Sequence, residues 1–143
     1  MDVNKLHQEL LCDACINGNL PRVKELLDLG VNPNEMYGES THLMYASMWG
    51  SVDVVEELIN RGVDLDTKCG RGYTALMTTS WEMDELECYV NGQMEAAKLL
   101  ILNGCDVDIS VGGHTFLEKL PTPNRIKMQE YIDSLFAPKP AKK

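Results

Sequence analysis

The sequence predicts an all-α fold in which pairs of helices repeat along the chain and stack into a solenoid. Three segments, 18–30, 50–62 and 92–104, begin and end with Gly twelve positions apart (30 minus 18, 62 minus 50, 104 minus 92). Two Thr-led helix starts lie 33 residues apart (74 minus 41). A period in this range is the signature of a stacked repeat protein.

The helix inside each Gly-bracketed segment is predicted from its apolar spacing. An apolar pair ends each segment, and smaller apolar residues lie one turn earlier, as an amphipathic helix with a terminal Gly cap requires. The pairs are Leu26/Leu27, Leu58/Ile59 and Leu100/Ile101, preceded by Val23, Val54/Val55 and Ala96/Ala97.

A shorter helix is predicted before each Gly-bracketed helix. It begins at Thr41 and again at Thr74, and Thr is a favoured residue for capping a first turn. The stretches 31–38 and 63–73 between closing Gly and Thr are rich in turn-forming residues. We therefore expect hairpin-like connections between successive helix pairs.

The unit resembles the ankyrin repeat, whose signature is T-P-L-H-x-A. Residues 41–46 keep the Thr, Leu and Ala of that signature, residues 9–14 keep its Leu and Ala, and the resemblance extends over about residues 5–136. It implies a single ankyrin-repeat domain over 1–136 and a flexible basic tail over 137–143. The expected units are about 5–36, 37–68, 69–110 with an insertion near 83–91, and a C-terminal cap, 111–136.

The cap is expected to end in a helix over 124–136. Ile126, Ile132 and Leu135 would form its apolar stripe. Its polar side chains would face water, as a terminal repeat requires. These are Lys127, Gln129, Glu130 and Asp133.

Composition excludes several classes of function. The 143 residues carry a net charge of -9 and a pI near 4.7, which opposes binding to nucleic acids or anionic membranes and favours a basic protein partner. No apolar run approaches the roughly 20 residues that span a bilayer. Five Cys at uneven spacing argue against a disulfide scaffold. We expect a monomeric, cytoplasmic protein.

The sequence contains no recognisable catalytic or cofactor motif. Cys12 and Cys15 have C-x-x-C spacing, but no second ligand pair follows, so buried thiols explain them better than a metal site. His7, His42 and His114 are far apart, and turn or capping roles account for them. We expect no enzymatic activity, no metal and no cofactor.

An insertion interrupts the repeat in the third unit. The opening Gly residues are 32 apart (50 minus 18) and then 42 apart (92 minus 50), which places about nine extra residues, 83–91, in the turn between the two helices. The insertion is either a neutral surface loop or part of a binding surface. In the second case Leu86, Tyr89 and Val90 would offer apolar contacts within an acidic frame.

A row of aromatic side chains forms the candidate site. Trp49 and Trp81 occupy equivalent places in successive units, and the resemblance implies that these places and the hairpin tips face a concave groove. Both Trp residues could instead cover each other or the insertion. The expected partner-binding residues are Met36, Tyr37, Met48, Trp49, Arg71, Tyr73, Trp81, Glu82, Asp84, Glu85, Glu87 and Tyr89, with Ser40 and Lys68 also at the tips.

These features favour a non-enzymatic module that binds a basic protein through its groove, as an inhibitor or an adaptor. Trp and Tyr are enriched in binding hot spots. The alternative is a small molecule or nucleotide stacked on Trp49 and Trp81, which the shortage of nearby Lys and Arg disfavours.

Overall fold

The computed structural model describes residues 2–80 and 87–136, with 87–91 as backbone only. Within these ranges the chain forms eight helices and two short hairpins. They are α1 (Val3–Asn17), α2 (Leu20–Asp28), β1 (Met36–Tyr37), β2 (Ser40–Thr41), α3 (His42–Met48), α4 (Val52–Asn60), α5 (Ala75–Thr78), α6 (Glu87–Leu102), β3 (Ser110–Val111), β4 (His114–Thr115), α7 (Phe116–Lys119) and α8 (Thr122–Phe136).

The helices form consecutive pairs that stack into two rows. The first helices α1, α3 and α5 pack side by side, and the second helices α2, α4, α6 and α8 form the other row. Each unit therefore packs its two helices on each other and buries its remaining apolar surface against the neighbouring units. The all-α stacked architecture that the sequence predicts is confirmed.

The second helix of each of the first three units ends just before its closing Gly, as the sequence predicts. Gly30, Gly62 and Gly104 follow α2, α4 and α6 with φ of 95°, 80° and 92°, a left-handed backbone that Gly adopts without strain. The apolar residues predicted before them form the core: Val54, Leu58 and their equivalents are fully or almost fully buried.

Thr capping differs between the units. The Thr41 hydroxyl accepts a hydrogen bond from the Met44 amide at 3.2 Å, whereas the Thr74 side chain makes no capping bond to α5. Thr115 caps α7 by accepting from the Glu118 amide. The expectation that Thr74 caps its helix is wrong, because its hydroxyl is buried without a hydrogen-bond partner among the described residues.

The connections between pairs are hairpins, as expected. Met36 pairs with Thr41 and Tyr37 with Ser40 in β1 and β2, and β3 pairs with β4 in the same antiparallel way. The second connection in chain order, between α4 and α5, forms a hairpin-like turn without strands, which the Cys69 amide closes by donating to the Tyr73 carbonyl at 2.9 Å.

Asn and Asp side chains join the hairpins at their bases. Asn34 accepts from the Asp64 amide at 3.0 Å, and Asp66 accepts from the Asp106 amide at 2.8 Å. Asp64 also accepts from the Asp66 amide. These side chains therefore stabilise the turns and connect one unit to the next.

The third unit departs from the other two. In the first two units the second helix begins two residues after the opening Gly (20 minus 18, 52 minus 50), which would place the start of α6 at residue 94. It begins at Glu87 instead, and Gly92 lies inside the helix. The placing of 87–91 in a turn is therefore wrong; residues 83–86 lie outside the described part of the chain.

Gly50 and Gly92 bring two units into backbone contact. A Cβ atom on Gly92 would lie 2.5 Å from the Gly50 carbonyl oxygen, and one on Gly50 would lie 2.9 Å from the Gln93 nitrogen. Neither position tolerates a side chain without backbone movement. The α6 helix thus passes the turn of the second unit at a distance that only Gly allows.

The final helix differs in part from expectation. It starts at Thr122 rather than 124, and its buried residues are Met128 and Ile132. Met128 and Ile132 lie one turn apart on the face of α8 that packs against the core. Ile126 and Leu135, expected in the apolar stripe, lie on other faces of the helix and are exposed. The polar side chains expected at the surface are exposed.

Candidate partner-binding face

Trp49 lies at the C-cap of α3, in the turn that leads to α4. Its side chain is 44% exposed, which is high for an aromatic residue of this size. The neighbouring Met48 is half-buried, and its carbonyl accepts from the Gln93 side-chain amide at 2.8 Å. The turn that carries Trp49 is therefore fixed against the third unit.

An open depression of about 370 Å³ lies beside Trp49. Ile16, Asn17 and Ser51 line it together with the Trp49 side chain. Ile16 and Asn17 hold in the first unit the place that Met48 and Trp49 hold in the second. The structure thus brings equivalent positions of two neighbouring units to one open depression.

The first hairpin holds Met36 and Tyr37. Met36 is exposed and Tyr37 half-buried. The Tyr45 hydroxyl donates to the Tyr37 carbonyl at 2.8 Å, which ties the hairpin to α3. Partial burial and the nearby Glu9 and Asp13 carboxylates raise the pKa of Tyr37.

Three carboxylates contribute to the raised pKa values of Tyr37 and Tyr45. Glu9 and Asp13 act on Tyr37, and Glu39 acts on Tyr45, whose pKa is raised mainly by burial. We name Glu9, Asp13, Tyr37, Glu39 and Tyr45 the Tyr37 patch. None of its carboxylates has an ion-pair partner among the described residues.

The next hairpin carries the opposite charge. The Lys119 ammonium lies 5.4 Å from the centre of the Tyr73 ring, within the range of a cation–π interaction. Arg71 is exposed at the tip of the turn. We name Arg71, Tyr73 and Lys119 the Tyr73 patch; Lys68, also exposed, precedes it.

The hairpins and Trp49 lie at opposite ends of the first helices. Thr41 precedes α3 and Trp49 follows it, so eight residues of helix place them about 12 Å apart along its axis. The candidate residues therefore divide between a hairpin end (Met36, Tyr37, Arg71, Tyr73) and a Trp49 end (Met48, Trp49).

The other candidate residues are only partly located. Glu87 and Tyr89 lie in the first turns of α6, where the structure gives the backbone. Trp81, Glu82, Asp84 and Glu85 lie outside the described residues. The prediction that the acidic insertion forms part of the binding surface is therefore still untested.

A buried hydrogen-bond chain joins the first two units beneath this face. The Gln8 side-chain amide donates to the Asn32 carbonyl at 3.0 Å, so its oxygen is left to accept from His42 Nε2 at 2.5 Å. Burial lowers the pKa of His42 to about 4, against a weaker opposing effect of Glu35. His42 is therefore neutral and structural at pH 7. Sequence reasoning assigned it only a turn or capping role, because the contact with Gln8 is 34 positions distant.

The chemistry available in the described residues is limited. Burial raises the pKa of Cys12 to about 11 and of Cys15 to about 12, which leaves both thiols protonated and poorly nucleophilic. Within the described ranges no cluster of His, Cys, Asp and Glu could hold a metal ion. No helix in those ranges is long and apolar enough to cross a membrane.

Known proteins that resemble this chain include a solved structure. A chain in the complex of a predatory endopeptidase with an immunity protein, from Bdellovibrio bacteriovorus, is 30% identical with a TM-score of 0.72. The match covers 89% of this chain and 63% of that chain.

Two palmitoyltransferases AKR1 match shorter segments. The protein from Naumovozyma castellii is 41% identical over 59 residues, which are 40% of this chain and 8% of that protein. The one from Kluyveromyces lactis is 40% identical over 68 residues, which are 46% of this chain and 9% of that protein. Matches over so small a part of a transferase carry no argument for transferase activity.

The family assignment rests on a longer match. The sequence profile described as ankyrin repeats (3 copies) matches residues 11–110, which begin within α1 and include the whole of α2 to α6 with the two connections between the first three helix pairs. This chain belongs to the ankyrin-repeat family.

Proposed function

We propose that the chain is a non-enzymatic module that binds a basic protein partner through the concave face formed by the hairpins, the first helices and Trp49. The observation that carries the proposal is the exposed Trp49 side chain beside the depression lined by Ile16 and Asn17. Ankyrin repeats are protein interaction modules, and a large aromatic side chain beside a concavity is a typical hot-spot arrangement.

Electrostatics support a basic partner. The net charge of -9 attracts a basic protein over a distance of about one Debye length. The unpaired carboxylates of the Tyr37 patch place part of that charge on the proposed face. Charge of this kind mainly raises the association rate, whereas buried aromatic contacts supply affinity.

An inhibitory role is the specific form that we favour. The similar solved chain belongs to a complex of an endopeptidase with an immunity protein. A rigid concave surface that covers the working surface of its partner would inhibit that partner without chemistry of its own. An adaptor role would use the same face and would leave the partner active.

Native co-purification followed by mass spectrometry tests the proposal. We expect a protein partner to be retained. A bound nucleotide or small molecule would instead support stacking on Trp49 and Trp81, and recovery of the chain with nothing bound would contradict the proposal.

Trp49→Ala then tests the face. We expect the substitution to weaken binding of that partner by about 2 kcal/mol or more in calorimetry, with an unchanged circular dichroism spectrum. Phe136→Ala is the matched control, because Phe136 is 74% exposed on α8, away from this face. Equal affinities of the two variants would contradict the assignment of the face.

The acidic insertion receives a separate test. Replacing Asp84, Glu85 and Glu87 with Lys should slow association with the same partner and reduce its salt dependence. An unchanged association rate in stopped-flow measurements would show that the insertion lies outside the contact.

A further inference from the structure

The tips of two neighbouring hairpins carry opposite charges at nearly equivalent positions. With the period of 33, Gly38 and Glu39 of the first tip correspond to Arg71 and Gly72 of the second (71 minus 38, 72 minus 39). Both charged residues are exposed. Because α3 packs against α5, the two tips lie side by side, about one helix-packing distance of 10 Å apart.

The acidic tip belongs to a larger negative surface. Glu39 is exposed at the tip, and α1, which carries the exposed Glu9 and Asp13, packs against β1, which ends at Tyr37. These carboxylates form no ion pair among the described residues, and the Tyr45 hydroxyl is already used as a donor to the Tyr37 carbonyl. The Tyr37 patch therefore offers aromatic edges and unneutralised negative charge to a cationic side chain.

The basic tip exposes the Arg71 side chain. Arg71 has no ion pair within the described part of the chain. Lys119 adds a second positive charge over the Tyr73 ring. The Tyr73 patch therefore favours an anionic side chain.

We propose that the two hairpin tips bind one extended segment of the partner protein that carries a basic and an acidic side chain three residues apart. The basic side chain lies on the Tyr37 patch and the acidic one on the Tyr73 patch. Three residues of extended chain span about 10 Å, which matches the spacing of the tips. This inference rests on the proposed function, since it names the segment that the concave face recognises.

The pairing of charges fixes the register of the segment. A uniformly basic segment would place a cation against Arg71, and a uniformly acidic one would place an anion against Glu39. Like charges in contact oppose binding, and this repulsion discriminates between partners more than it changes overall affinity. The net charge attracts basic proteins, and the two tips select among them.

Peptide libraries test the inference with the full chain. The probes are synthetic peptides with two fixed residues separated by two varied ones: Lys-Xaa-Xaa-Glu, Glu-Xaa-Xaa-Lys, Lys-Xaa-Xaa-Lys and Glu-Xaa-Xaa-Glu. We expect the immobilised protein to retain the two mixed-charge libraries about threefold more than either single-charge library at low salt, the size of effect that exposed charge pairs produce.

Charge reversal provides the matched comparison. Arg71→Glu should shift the preference to Lys-Xaa-Xaa-Lys. Lys127→Glu makes the same change in net charge at an exposed position of α8 and should leave the preference for mixed charge intact. The inference is overturned if the wild-type protein retains Lys-Xaa-Xaa-Lys best, if it retains no library, or if the two variants behave alike.

The two proposals fail in different ways. If a protein partner co-purifies and Trp49→Ala weakens its binding, while the libraries show no preference for mixed charge, the face is correct and the selection by the tips is wrong. If no protein partner is found, the proposed function itself fails, whatever the libraries show.

Discussion

The second and third units have the same repeat pattern, but the lengths of their two helices differ. The second unit has seven residues in α3 and nine in α4, whereas the third has four in α5 and 16 in α6. Both second helices end at a Gly with positive φ, but their starts differ. The difference shows that packing and the closing Gly fix the C-terminal end of the repeat, while local sequence sets where the second helix begins.

The largest effect is expected near the C-terminal ends of the two second helices, α4 and α6, where the units are alike. Leu58 and Leu100 are equivalent and have no exposed surface, so Leu58→Ala and Leu100→Ala should each lower the free energy of unfolding by about 2–5 kcal/mol. Chemical denaturation measures the free energy of unfolding of each variant. Leu102→Ala is the control, because Leu102 is 60% exposed; a loss confined to one of the two buried sites would show that the units do not share one core.

The next-largest effect is a pH dependence of stability that only the second of these two units should show, because it contains the buried His42. His42 of the second unit corresponds to Ala75 of the third (75 minus 42 is 33). The unfolded state binds a proton at His42 below its ordinary pKa of 6.5, and the folded state does so only near 4. Stability should therefore fall as the pH drops from 6.5 to 4, by up to about 3 kcal/mol.

Denaturation at several pH values checks this prediction. His42→Gln should flatten that part of the pH profile, whereas His114→Gln, at an exposed hairpin position, should retain it. Equal slopes in the wild-type protein and His42→Gln would refute the role of the buried imidazole.

A smaller effect on stability is expected at the contact between Gly50 and Gly92, where substitution by Ala should destabilise the protein although Ala favours helices. Gly92→Ala should favour α6 by helix propensity, by about 1 kcal/mol, but its Cβ atom would lie 2.5 Å from the Gly50 carbonyl oxygen. We expect a net loss of about 1–3 kcal/mol, as for overpacking. Gly70→Ala is the control, because a Cβ atom there would have no neighbour within 4 Å; a stabilised Gly92→Ala would contradict the close approach.

The smallest effect compares the two Thr residues. Thr41→Val removes a capping acceptor and should cost about 1 kcal/mol. Thr74→Val removes a hydroxyl that is buried without a hydrogen-bond partner among the described residues, so we expect a neutral or slightly favourable change. Thermal unfolding of the two variants measures the difference, and equal losses would show that Thr74 also caps its helix.

The sequence was sufficient for the repeat and its core. Leu58, Leu100 and the closing glycines recur at fixed spacing, and their roles follow from that spacing. The start of α6 could not be predicted, because residues 83–91 have no counterpart in the other units. The exposed position of Ile126 was also missed. An apolar residue on a terminal helix suggests burial, but the sequence does not show which face of that helix packs against the core.

The candidate site was predictable only in part. The repeat register located Tyr37, Arg71 and Trp49 at turns, and the structure places all three at the surface or half-buried. Glu9 and Asp13 were missed because they belong to the preceding unit, and their helix α1 comes near Tyr37 only by packing against β1. Their spacing of four residues, which puts both on one face of α1, was the available signal.

Hydrogen exchange of the complex tests most directly whether the concave face binds the partner. With the co-purified partner bound, we predict slower exchange of the backbone amides in 36–41, 48–51 and 69–73, at both ends of the first helices, and unchanged exchange in α2 and α4. Protection confined to α2 and α4, with the hairpins and the Trp49 turn unaffected, would contradict the assignment of the binding face.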